Sequence, residues 1–283
     1  MSPEWTIHGL TDRSRRPYRH ANQLPLVIET EIVRLKRQYP DWGAPKIREK
    51  LRGRTGPTRC PAISTVHAVL DRHGLVQRRG RRRRRATGTP LSHASTPNAL
   101  WYADYKGEFR LGNRQYCYPL TITDFASRYL LTCEALSTTG EHYAFAVFER
   151  TFKDFGLPHA IRTDNGVPFA SAHALYGLSK LAVWWLRLGV GIERIKPGHP
   201  EQNGRHQRMH LTLKQQATKP AAATLLQQQA RFDAFQQQYN HDRPHQALDM
   251  QVPADRYVPS ERQSHAGSMV ERRWVPQPID CCA

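Results

Sequence analysis

The chain is expected to fold as an α/β protein, a mixed five-stranded sheet with flanking helices, preceded by a small all-α domain. Three observations predict this. Apolar residues recur at helical spacing in three short segments before residue 77, an arginine-rich run follows them, and beyond residue 98 strand patterns appear and then alternate with helices.

The first segment, from Leu24 to Tyr39, carries Val27, Ile28, Ile32 and Leu35 on one face and stops at Pro40, which cannot continue a helix. A second helix is expected from Ala44 to Leu51, with Ile47 and Leu51 inward and Lys46, Arg48 and Lys50 outward. A third is expected near Ser64, whose hydroxyl would cap it; it would bury Val66, Val69 and Leu70 and end at Gly74. Three short helices with basic outer faces suggest a helix-turn-helix DNA-binding domain over residues 24–76, with Lys46 and Arg48 towards the nucleic acid.

Charge supports that assignment. Residues 1–99 hold 21 Lys/Arg against 7 Asp/Glu, which is most of the net +18 of the whole chain. A protein so segregated gains affinity by releasing counterions from phosphates, so a polyanion is the expected partner. Between residues 77 and 98, seven arginines within Arg78–Arg85 are followed by small residues and proline. Such a run cannot bury itself and is expected to be a linker. Arg78, Arg79, Arg81, Arg82 and Arg83 are its expected DNA contacts, along a backbone or in a minor groove.

Other classes fit poorly. With 283 residues and 39% hydrophobic content the chain can bury at least one sizeable core. No apolar run approaches a membrane span, and the first residues lack the pattern of a secretory signal, so a soluble intracellular protein without a membrane partner is expected. The five cysteines show no C-x-x-C spacing and are expected to be reduced thiols.

Beyond the linker, Leu100–Leu111 and Gln115–Ala126 are expected strands joined at Gly112-Asn113, and Tyr129–Leu136 is a third. An amphipathic helix over Gly140–Phe155 closes at Gly156; a short strand then ends at Asp164. Leu175–Leu188 is expected to be helical and Gly191–Lys196 to be the fifth strand. A helix follows the turn at Pro200 and Asn203-Gly204, and a glutamine-rich helix spans residues 224–239.

Chemistry points to strand ends. Asp104 lies within the first strand and Asp164 at the end of the fourth. Two carboxylates delivered to one sheet edge suit a hard divalent cation, Mg²⁺ or Mn²⁺. Asp124 competes with Asp104 for this role, because an aspartate after a strand is often a turn former. In the helix after Asn203-Gly204, Gln207, His210 and Lys214 fall on one stripe, while Met209, Leu211 and Leu213 carry apolar surface elsewhere.

Five ordered motifs carry a resemblance: WYADYKGEF, TITDFASRYLL, IRTDNGVPFAS, PGHPEQNGRHQRMHLTLK and YNHDRPHQAL. Together they resemble the integrase-core (DDE-type) transposases of bacterial insertion sequences, in the retroviral-integrase superfamily, from about Trp42 to Tyr257. WGAPKI and STVHAVLDRHGLV resemble that family's second helix-turn-helix module. The resemblance implies a ribonuclease H-like catalytic core over residues 99–257 and a triad of two aspartates and a glutamate holding two Mg²⁺ ions. It carries over to Asp104, Asp164 and Gln207, where glutamine stands in place of the family's glutamate. Glu201 matches the family's ordinary loop residue. Asp104 and Asp164 are thus the implied metal ligands, and His210 and Lys214 candidate DNA contacts beside the cleavage point. The implied function is binding of insertion-sequence ends and metal-dependent strand cleavage and transfer, impaired by Gln207. The implied partners are double-stranded DNA, from element ends and target, and further copies of the chain on that DNA, at the nucleoid of the bacterial cytoplasm. Residues 1–23 would be the remnant of an upstream DNA-binding module, and residues 258–283 a tail without an assigned fold. The alternative is a non-catalytic DNA-binding remnant that competes for element ends.

Overall fold

A computed structural model describes residues 24–56, 60–76, 91, 94–171, 174–195 and 204–263. The segment 1–23, the arginines Arg78, Arg79, Arg81, Arg82 and Arg83, and Glu201 lie outside the described residues. The chain divides into two units, Met1–Gly80 and Arg81–Ala283.

In the first unit, α1 (Leu26–Gln38), α2 (Ala44–Thr55) and α3 (Ile63–Arg72) enclose one core of Ile32, Leu35, Ile47, Leu51, Val66, Val69 and Leu70. Trp42, in the turn between α1 and α2, is buried and stacks on Tyr39 with ring centroids 3.9 Å apart. Ser64 does not cap α3. The helix starts one residue earlier, with Ala62 at the cap position and no side-chain cap, so Ser64 already sits in the first turn. Gly74 does end it: at φ 67° it lets the Leu75 N–H reach the Leu70 carbonyl at 2.8 Å. Lys46 and Arg48 are both half-buried, and Arg48 Nε donates to the Pro61 carbonyl at 2.9 Å, holding the segment before α3.

The second unit is built on six strands, β1 (Trp101–Tyr105), β2 (Phe109–Arg110), β3 (Tyr116–Asp124), β4 (Leu130–Leu136), β5 (Ala160–Thr163) and β6 (Gly191–Arg194). The first expected strand is split into β1 and β2 because the chain leaves the ladder at Lys106–Glu108, with Gly107 at φ 85°. β3 pairs antiparallel with β1, β2 and β4, and β5 joins β1 and β6 in parallel, so the main sheet runs β4-β3-β1-β5-β6. At the turn between β2 and β3 the positive φ falls on Arg114. Gly112 serves close approach instead, since a Cβ there would lie 3.0 Å from the Ala223 backbone.

Strand alternation sorts the sheet into two faces. On one, Trp101, Ala103, Leu120, Ile122 and Ile161 meet α4 (Glu141–Phe155) and α5 (Lys180–Arg187), through Phe148, Phe152 and Trp185. A fully buried Leu or Phe of this kind contributes about 1.5–3 kcal/mol. The other face carries Cys117, Cys133 and Ala135 against Met209 and Leu213 of α6 (Gly204–Ala217) and Phe232 and Phe235 of α7 (Leu225–His241). Cys60, Cys117 and Cys133 are free thiols, and burial pushes Cys117 up to about 12.

The glutamines of α7 have a specific task. Gln229 accepts from the Ala135 N–H at 2.7 Å and donates to the Cys133 carbonyl at 3.0 Å, and Gln236 donates to the Leu131 carbonyl at 2.9 Å. Asn240 bonds both backbone groups of Leu130. One stripe of amides thereby satisfies the edge strand β4, which otherwise presents an unpaired ladder. Past Tyr257 the chain still packs on the core: the Val258 carbonyl accepts from Asn98, and Ser260 N–H donates to the Phe155 carbonyl. Among the described residues no helix is long and apolar enough to cross a membrane.

Candidate active site

Parallel pairing sets Trp101 opposite Ile161 and Tyr102 opposite Arg162. Continued by two residues, that register would set Asp104 opposite Asp164, which follows the end of β5. Alternation puts Tyr102, Asp104, Arg162 and Asp164 on the sheet face that α6 covers. Below the two aspartates the strands are locked together. Arg162 Nη1 donates to Tyr102 Oη at 2.5 Å, Nη2 donates to both Glu193 carboxylate oxygens at 2.9 Å, and the guanidinium lies over the Tyr102 and Phe125 rings.

Each residue of Asp164-Asn165-Gly166 has a physical part. The Asp164 carboxylate accepts from the Gly166 N–H at 3.1 Å, and Asn165 Nδ2 donates to the Ile195 carbonyl at 2.8 Å. Gly166 leaves room for the turned-back carboxylate, since a Cβ there would lie 3.0 Å from Asp164 Oδ2. Asp124 takes another role. It is 1% exposed and accepts from the Asn98 N–H and from the N–H and hydroxyl of Ser127, a turn-forming network remote from metal chemistry. Burial raises its carboxyl, against the lowering by those donors.

Helix α6 does not present the expected stripe. Gln207 and Lys214 are exposed, but His210 is turned inward and 7% exposed, and Leu211, expected to be apolar packing surface, stands out at 53%. The buried face runs His206, Met209, His210, Leu213, Ala217. Two histidines can lie in it because β3 offers hydroxyls: Thr121 bonds both rings, and Thr123 bonds His206. His210 as a DNA-facing residue is therefore corrected; it lies beneath the surface, with Nδ1 3.9 Å from Asp104 Oδ2. His206 has no place in the sequence-based site, and neither has Lys106. The Lys106 ammonium is held below its ordinary range by burial and by the like charge of Lys214, with Asp104 opposing. Two cations and a carboxylate therefore act on one another at this end of β1.

Burial pushes the His206 imidazole down to about 3, and burial lowers His210 too, helped by His206 and Lys106. Both rings are neutral in the fold and take up a proton near pH 6.5 when unfolded. Their contribution is complete above about pH 6.5 and is lost as pH falls towards the folded value, at up to about 1.4 kcal/mol per pH unit for each ring. His206→Gln is expected to flatten the decline in urea-unfolding stability between about pH 6.5 and about pH 4. An unchanged slope would show that His206 already charges within the fold.

Two models of the integrase core domain match overlapping stretches, residues 94–200 and residues 188–253. The uncharacterized 31.7 kDa protein of insertion element IS407 from Burkholderia multivorans is 26% identical over 214 residues, 67% of this chain and 73% of that protein. The uncharacterized 39.2 kDa protein of insertion element IS476 from Xanthomonas euvesicatoria is 23% identical over 274 residues, 92% of this chain and 74% of that one. Among solved structures, a chain of the simian T-cell lymphotropic virus intasome in complex with PP2A regulatory subunit B56 gamma has a TM-score of 0.51 at 15% identity, covering 84% of this chain and 79% of that chain. That likeness establishes the fold, a ribonuclease H-like sheet with flanking helices. The chain belongs to the integrase-core transposases of bacterial insertion sequences, within the retroviral-integrase superfamily, a family of DNA transposition and integration.

Proposed function

We propose that this chain binds the ends of its insertion sequence and carries out metal-dependent strand cleavage and transfer at Asp104 and Asp164, weakened by Gln207. What supports this is the β1–β5 register, which, continued beyond Tyr102 and Arg162, would bring Asp104 and Asp164 to neighbouring strand ends, close to the positive charge of Lys106 and Lys214. Hard carboxylate oxygens on neighbouring strands fit Mg²⁺ or Mn²⁺. Gln207 fits less well, since its amide offers an oxygen but no charge to a second ion. Bound there, such ions would promote attack of water or a DNA 3′-hydroxyl on phosphorus and stabilise the leaving oxygen. The chain's own side chains do the rest: Lys106 and Lys214 hold a phosphate near the carboxylates, and Gly166 keeps Asp164 in place.

Double-stranded DNA is the partner, met by the α1–α3 domain with Lys46 and by the arginine run Arg78, Arg79, Arg81, Arg82 and Arg83. Joining two ends calls for two or more copies of the chain on the DNA. The neutral Gln207 favours a second reading, a DNA-binding remnant without strand transfer. Labelled element-end duplexes separate the two. Gel shifts without metal report end binding, and nicked or joined strands in Mn²⁺, absent in Asp104→Asn, support the transposase. End binding with no strand products in either chain would leave the remnant.

Gly166→Ala tests the site's geometry. The new methyl displaces the Asp164 carboxylate, a flexible group, so strand transfer should fall about 10–100-fold with little change in melting temperature. Unaltered activity would show that the turned-back carboxylate is not the productive one.

A further inference from the structure

Hydrogen-bond accounting around Thr121 fixes the tautomers of both buried histidines. Thr121 Oγ1 lies 3.1 Å from the Asp104 carbonyl oxygen, 2.9 Å from His206 Nε2 and 2.7 Å from His210 Nε2. A carbonyl only accepts and a hydroxyl carries one proton, so Thr121 donates to Asp104 and accepts from both rings. Each imidazole therefore bears a proton on Nε2. His206 Nδ1 is an acceptor, and Thr123 Oγ1, 2.9 Å away, donates to it. His210 Nδ1 also presents a lone pair, and what it faces is Asp104 Oδ2 at 3.9 Å. Two acceptors confront each other across a gap too wide for a hydrogen bond.

That gap has the size and polarity for a cation. Two bonds of about 2.0–2.2 Å, one to nitrogen and one to oxygen, span it when they meet at an obtuse angle. From this geometry we infer that Asp104 Oδ2 and His210 Nδ1 together bind a divalent transition ion of the Zn²⁺ or Co²⁺ class. An imidazole ligand favours such ions over Mg²⁺, which prefers oxygen alone. His206 also lies within ligand range of the pair, but both its nitrogens are engaged by hydroxyls. It acts on the site through Thr121, as a partner that orients the ligand. Water fills the remaining positions. The site depends on Asp104 being a metal ligand, as in the function proposed above, but it requires neither DNA nor turnover.

Full-length, DNA-free protein titrated with Co²⁺ supplies the test. Visible d–d bands should appear with Co²⁺ and persist in a large excess of Mg²⁺. Proton NMR of the Co²⁺ form in H₂O should show an exchangeable imidazole N–H shifted far outside the diamagnetic range. This needs no substitution and so does not depend on a variant's folding. His210→Ala should lose the bands, and Thr121→Val should weaken Co²⁺ binding about 10–100-fold with an unchanged far-UV circular dichroism spectrum. Bands without a shifted N–H, or equal affinity in His210→Ala, would place the ion among carboxylates alone and overturn the inference while leaving the transposase standing. Absence of Co²⁺ binding would overturn it too, and Mg²⁺-dependent strand transfer, assayed separately, would then report on the function.

Discussion

Gln207→Glu is expected to raise strand transfer in Mg²⁺ by about 100-fold or more, because a metal's charge stabilisation at phosphorus is worth several kcal/mol and about 1.4 kcal/mol is tenfold in rate. Gln207 stands on α6 three residues before His210, whose ring borders Asp104, so a carboxylate at 207 is expected to add negative charge on the side of α6 near Asp104. The substitution is isosteric and the position is exposed, so stability should change by less than about 0.5 kcal/mol. The gain should be smaller in Mn²⁺, which binds nitrogen and amide oxygen ligands more readily than Mg²⁺ does. Asp164→Asn should remove activity from both chains. The measurement is single-turnover joining of a labelled element end; equal robust activity in the chain and its Gln207→Glu variant would sink the idea that the missing charge matters.

Glu193→Ala should cost about 3 kcal/mol of unfolding free energy, the largest stability effect expected near the site. Arg162 is 2% exposed on β5, between β1 and β6, and its guanidinium is shared between Tyr102 Oη and Glu193. Removing the carboxylate takes from a buried positive charge its 2.9 Å partner, and desolvation is then offset less. Glu193 keeps some contact with water, which sets the estimate at the lower end of the buried-pair range. Replacing Arg162 and Glu193 together by methionine should cost much less than Glu193→Ala, since no charge is then stranded. Urea unfolding of the three variants measures this. A loss below about 1 kcal/mol in Glu193→Ala would mean that the remaining contacts of Arg162, the Tyr102 hydroxyl and the flanking rings among them, hold the guanidinium without Glu193. Since Tyr102 and Arg162 each precede a site aspartate by two residues, loss of this lock should also loosen the spacing of Asp104 and Asp164.

Local pattern determined much of this protein. Apolar spacing placed α1, α2, α3, α4 and α7 to within a few residues, because a helix's buried stripe is written at intervals of three and four. Strand alternation and the Asp-Asn-Gly turn located β1, β3, β4 and β5 and singled out Asp104 and Asp164. What the pattern could not supply was the partner of each polar side chain. His206 and His210 look like surface groups in a polar helix, yet β3, some 85 residues away in sequence, meets them with two hydroxyls and turns them inward. The alternation of Thr121 and Thr123 was the available signal, though it names no recipient. Tyr102 and Arg162 lay one strand repeat from the aspartates in the same way, but only the parallel register joined them. In α7 the glutamines marked a helix without a purpose until β4's unpaired edge came alongside. Sequence alone thus determined the elements and nominated the two carboxylates, since periodicity is a local property. Only the tertiary structure decided which polar groups are buried and what they hold, because burial of a polar group is decided by a hydrogen-bonding partner that distant residues bring.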